Sequence, residues 1–294
     1  MEQPKIIFKE EQGVPPCPYK DGDITVEFIS VDKARELFAN QRENRPLKRR
    51  NLDKLIDDLQ NGRYVEKNGE TIGLDKQGKL GNGQHRCKMI MATEIGKWSI
   101  VVRNLPDEAF NVIDTGSVRS PGDIFKFNGV TDSVKKAALI RTYLKLRAGS
   151  NVMGLKASNV SASALLELYD QDEESFNNAL KIGSSCYKKK PFLAGSFIGA
   201  LVYYLIRDKH HPQEVVEDFF HQVFWQENVS MEVVKVLHDA LLNDCIRSKE
   251  NRRASMASTY KTMIIVKAWN AFVTKKDLKR LNWNEKQEKP FWFV

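Results

Sequence analysis

Residues 71–96 read TIGLDKQGKLGNGQHRCKMIMATEIG, and their pattern decides the first half of the chain. A β-prone stretch, TIGLD, meets a Lys-Gln-Gly turn and a second short stretch, KLGNG. A helical run follows from near Gln84 and is expected to bury Met89 and Ile90, with Cys87 beside them. Gly81, Asn82, Gly83, Gln84, His85 and Arg86 fall at the junction. A glycine turn that feeds a helix start presents backbone N–H groups and the positive end of the helix dipole, which is an anion site in outline. Gly81 and Gly83 admit close backbone approach. Arg86 can fork two phosphate oxygens, and His85 can donate to phosphate or move a proton near neutral pH. Gln84 can orient a group but is no base. The same residues fit an ordinary Asn-Gly turn with a solvent-facing His and Arg, and spacing alone leaves both readings open.

Outward from this stretch, ITVEFIS (24–30) reads as a strand, and SVDKARELFAN as a helix opened by a serine cap. NRPLKRRNLDKLIDDLQNGRY predicts a second helix whose apolar stripe is Leu52, Leu55, Ile56 and Leu59, closed by Asn61-Gly62. SIVVRNL (99–105) is a strand; a short proline-initiated helix and the polar loop DTGSVRS (114–120) come next. In that loop Thr115, Gly116 and Arg119 supply donors suited to phosphate, and Asp114 an acid that can take a proton or hold a metal. A helix C-cap followed by an N-cap accounts for Gly116 and Ser120 equally well.

From about residue 133 the periodicity is helical throughout, in runs separated by Gly, Pro and Ser. The fold class expected is α+β: an extended arm over 1–23, an α/β domain over 24–130, and an all-helical domain over 131–294 with a basic end. Within the helical part, Lys188, Lys189 and Lys190 are expected in a loop beside Tyr187 and Phe192. Trp269, Phe272 and Trp283 are expected as packing anchors.

The 40s helix, the strand pair, the Gly-x-x-Arg turn and the following strand resemble the N-terminal domain of the ParB/sulfiredoxin-like superfamily over roughly residues 24–120. In the ParB branch the corresponding turn reads Gly-Glu-Arg/His-Arg and binds the triphosphate of CTP. In sulfiredoxin it reads Gly-Cys-His-Arg, binds ATP and carries a catalytic cysteine. A third group, from phage and DNA-modification-associated proteins, has Asp-Gly-Gln-His-Arg, and Asn82-Gly83-Gln84-His85-Arg86 is most similar to it. The resemblance implies phosphate contacts from Gly83, His85 and Arg86, and from Arg45 ahead of the preceding helix, with Lys48 and Arg49 near it. Gln84 stands where the other branches have Glu or Cys. That removes the sulfiredoxin chemistry and takes away a carboxylate for hydrolysis.

The net charge of +8 comes from 46 basic and 38 acidic residues, and the whole surplus lies after residue 246. Dense local positive charge favours a polyanion, because neutralised phosphates release counterions; a solvated basic helix is the plainer alternative. The DNA-contact candidates are Lys188, Lys189, Lys190, Arg252, Arg253, Lys275, Lys276, Lys279 and Arg280. The four cysteines are widely spaced and form no CxxC pair, against a zinc ribbon or a disulfide framework. No apolar run is long enough to span a bilayer, and the acidic N-terminus is unlike a signal peptide. A cytoplasmic protein is therefore expected, and the resemblance implies a bacterial or phage-infected cell.

Together these features predict a DNA-associated protein that holds a nucleoside triphosphate, ATP or CTP, with Mg²⁺ and a homodimer both compatible. The alternative is a phosphotransferase or nucleotide hydrolase on the same fold, acting on a small molecule or a DNA base, with His85 and Asp114 as its catalysts.

Overall fold

The computed structural model describes residues 18–43, 46–113, 119–148, 160–251, 256, 258–283 and 292–294. The chain divides into two compact units, Met1–Val118 and Arg119–Val294, and its architecture is α+β.

The first unit is built on a four-stranded mixed sheet of order β1-β4-β2-β3. Strand β1 (Ile24–Ile29) runs antiparallel to β4 (Lys97–Leu105), which lies parallel to β2 (Thr71–Asp75); β2 turns back antiparallel into β3 (Leu80–Asn82). β4 begins two residues earlier than the sequence suggested, because Lys97 and Trp98 still pair with Ile29 and Phe28. The β2–β3 turn closes on Asp75, whose carboxylate accepts the N–H groups of Gln77 at 2.9 Å and Lys79 at 2.8 Å.

Three helices pack beside the sheet. Helix α1 (Val31–Ala39) starts at Ser30, whose hydroxyl accepts the Lys33 N–H at 3.1 Å. Helix α2 (Arg49–Gln60) ends at Asn61, and Gly62 follows with φ 71°. Helix α3 (Gln84–Thr93) buries Cys87, Met89 and Ile90 completely. These join Ile29, Ile72, Leu80 and Val101 in one core, and the predicted α2 stripe of Leu52, Leu55, Ile56 and Leu59 packs against it. After β4, helix α4 (Ala109–Val112) is a single turn that starts three residues beyond Pro106.

Among its described residues the second unit has helices and no strand. Helix α5 (Pro121–Phe127) opens with a reciprocal cap between Ser120 and Asp123. Then come α6 (Ser133–Arg147), α7 (Ala162–Gln171), α8 (Glu173–Lys189), α9 (Gly195–Arg207), α10 (Gln213–Trp225), α11 (Glu232–Asn251) and α12 (Ser258–Val273). Helices α7 and α8 are separated by the single residue Asp172. There the backbone leaves the helical region (φ −151°, ψ 49°), and the carboxylate is taken by the Tyr203 hydroxyl at 2.9 Å and Arg207 at 2.9 Å. Helix α9 is the centre of this unit, with every residue from Ile198 to Leu205 buried. Trp269 is fully buried, Trp283 nearly so, and Phe272 packs against the same core.

Candidate functional site

Gly83 precedes α3 with φ 101°, in the left-handed region that a side chain rarely adopts, and a Cβ there would lie 3.0 Å from Ile72 Cγ1. Glycine is thus required by both the turn and the packing. Helix α3 starts with no side-chain cap and no acidic residue in its first turn. Helix α2 does the same: its N-cap, Lys48, makes no side-chain cap hydrogen bond, and its first turn holds no acid. Lys48, Arg49 and Arg50 are exposed around that start.

His85 joins the two helix starts. Its Nε2 accepts the Lys48 backbone N–H at 3.2 Å. An Nε2 that accepts carries no proton, so the neutral ring holds its proton on Nδ1. The contact brings together the positive ends of two helix dipoles and a basic tripeptide. Such a concentration of positive charge suits an anion.

Arg86 is paired with Glu70. Its side chain is 7% exposed, and its guanidinium donates from Nη1 to the Glu70 backbone oxygen at 3.1 Å and from Nη2 to the Glu70 carboxylate at 2.7 Å. Asn82 donates to the neighbouring Thr71 oxygen at 3.1 Å. Arg86 and Asn82 therefore hold the chain where it enters β2. Gln84 is buried.

Gly81 has a neighbour the sequence did not suggest. A Cβ there would collide with the Phe110 ring at 2.1 Å, so this glycine makes room for an aromatic side chain. The same ring carries the Arg42 guanidinium 4.7 Å from its centroid. Arg42 also pairs with Asp107 and lies 3.6 Å from the buried Asp75. Glu70, Arg42 and the Lys48 backbone N–H were all absent from the sequence reading. A backbone donor has no signature in sequence, and Glu70 stands 16 residues before Arg86.

Arg45, Asp114, Thr115 and Gly116 lie outside the described residues. Arg119 opens the second unit with its guanidinium 5.6 Å over the Phe127 ring. Among the described residues no three His, Cys, Asp or Glu side chains cluster as a metal site. Burial pushes the Cys87 thiol up to about 11, against the opposing pull of the Arg86 charge.

No protein-family model, curated protein or solved structure matches this chain.

In the second unit, Lys188 and Lys189 form the last turn of α8 and Lys190 is its C-cap. The loop expected for them is thus the end of a helix, where positive charge complements the helix dipole. Lys189 Nζ lies 5.8 Å from the Trp225 ring, which stacks on His221 at 4.9 Å. Lys275, Lys276, Lys279 and Arg280 are exposed just beyond α12. Arg252 and Arg253 lie outside the described residues. Among the described residues no helix is long and apolar enough to cross a membrane.

Proposed function

We propose that the chain is a DNA-associated nucleotide-binding protein. On this reading the first unit holds the phosphates of a nucleoside triphosphate where α2 and α3 begin, and the exposed basic side chains of the second unit contact DNA. The observation that carries it is the His85–Lys48 hydrogen bond, which joins two helix starts without acidic residues, one of them opened by the exposed Lys48, Arg49 and Arg50. The resemblance to the ParB/sulfiredoxin-like superfamily implies a phosphate at the same turn. A binding role fits better than a catalytic one, because the Nε2 lone pair of His85 is committed to a backbone N–H and Gln84 is no base.

The test is calorimetric titration of the full chain with ATP, CTP, GTP and UTP, with and without Mg²⁺, in wild type and Arg49→Glu. One triphosphate should bind in the wild type and weaken at least tenfold in the variant, as expected when a charged phosphate contact is reversed. A parallel titration with duplex DNA should give an affinity that falls steeply with salt, with a shallower slope in Lys275→Gln/Lys276→Gln. Absence of binding by all four nucleotides sinks the nucleotide reading; a salt-independent or absent DNA interaction sinks the other half.

A further inference from the structure

The ion pair between Arg86 and Glu70 is unequal. Arg86 is 6% exposed, and a guanidinium so far from water needs an anion beside it. The carboxylate that serves it is 71% exposed. It sits at the end of an exposed segment, residues 65–70, in which Gly69 takes φ 74° and Asn68 braces the Glu70 N–H at 3.0 Å. Glu70 loses little hydration by pairing and regains little by leaving, whereas Arg86 cannot be left alone. The seat on the guanidinium thus demands an anion without demanding this one.

The fork of Arg86 is two adjacent N–H groups, one on the carboxylate and one on the backbone oxygen of the same residue. A phosphate offers several oxygens to that fork and a higher charge than a carboxylate. Arg86 also belongs to the first turn of α3, whose dipole favours the same ligand.

We propose that Glu70 is a built-in competitor for the phosphate seat on Arg86: the carboxylate occupies the guanidinium until a phosphate of the ligand displaces it. This rests on the nucleotide reading above and adds a regulating residue to it. Displacement makes the apparent affinity lower than the intrinsic one by the fraction of time that Glu70 leaves the seat open. The freed segment 65–70 is then the part of the unit that changes on binding.

Glu70→Gln keeps the size of the side chain and removes the competing charge. Inorganic pyrophosphate and the four nucleoside triphosphates are titrated by calorimetry into the full-length wild type, Glu70→Gln, Arg86→Lys and the double variant. Glu66→Gln is the control; it removes a carboxylate from the same segment, one that pairs with Lys97 at 3.2 Å. The proposal expects Glu70→Gln to tighten binding about five- to tenfold, Glu66→Gln to change it less than about twofold, and the gain to vanish in the double variant. Circular dichroism establishes that each variant is folded, and the Glu70→Gln comparison stands even where Arg86→Lys does not fold. If a triphosphate binds the wild type and Glu70→Gln equally, Glu70 is a fixed structural partner and the proposal is overturned while the nucleotide reading survives. If no probe binds any of the proteins, including Glu70→Gln, both are overturned.

Discussion

His85 accepts a hydrogen bond from the backbone N–H of Lys48 across 3.2 Å, and so ties the first turn of α3 to the N-cap of α2. The tie uses the main chain of Lys48, not its side chain. His85→Ala should therefore lower the unfolding free energy by about 1 kcal/mol, the net worth of one such bond. Lys48→Ala keeps the donor and should stay within about 0.5 kcal/mol of wild type. Urea unfolding followed by circular dichroism measures both. A neutral His85→Ala, or a costly Lys48→Ala, would place the stabilisation somewhere else.

The local grammar of the first unit was legible in sequence. Gly83 announced the turn, the spacing of Cys87, Met89 and Ile90 announced the buried side of α3, and Ser30 announced the start of α1. Each of these signals acts within a few residues. What stayed hidden acts across distance. Nothing near Arg86 in sequence names Glu70 as its partner, and nothing near Gly81 names Phe110.

Helices α8 and α9 touch backbone to backbone through glycines. A Cβ on Gly183 would lie 2.2 Å from the Gly195 carbonyl oxygen and 2.6 Å from the Gly199 nitrogen. Neither obstacle is a flexible side chain, so the helices would have to part. Gly183→Ala should destabilise the second unit by about 3 kcal/mol, at the upper end of the cost of overpacking a core, although alanine is the better helix former. Denaturant unfolding of the two proteins checks this. A variant as stable as wild type would mean that α8 and α9 lie farther apart.

The three cysteines among the described residues should separate by burial. Cys87 and Cys186 are buried, and burial pushes their thiols up to about 11 and about 12. Cys245 is partly exposed. Iodoacetamide at pH 8, read by peptide mass spectrometry, should modify Cys245 well before Cys87 or Cys186, which react only after unfolding. Labelling of native Cys87 at the rate of Cys245 would contradict the burial of the residue beside Arg86 and reopen thiol chemistry at this turn.

High pH should loosen the second unit through its buried tyrosines. Burial, then the Asp208 carboxylate that accepts the Tyr143 hydroxyl at 3.0 Å, push that phenol up to about 12 from its ordinary 10.0. Burial and Asp172 act in the same direction on Tyr203. A raised folded-state value favours the protonated phenol in the folded chain. The associated stability is complete below pH 10, where the unfolded phenol is also protonated, and is lost as pH rises from 10 towards 12. Each such tyrosine contributes a decline of about 1 kcal/mol per pH unit in that window. Unfolding free energies measured in urea between pH 8 and 11.5 should fall less steeply for Tyr143→Phe than for wild type, by about that slope. Parallel curves for the two proteins would show that Tyr143 titrates as an exposed phenol and that its link to Asp208 does not persist in solution.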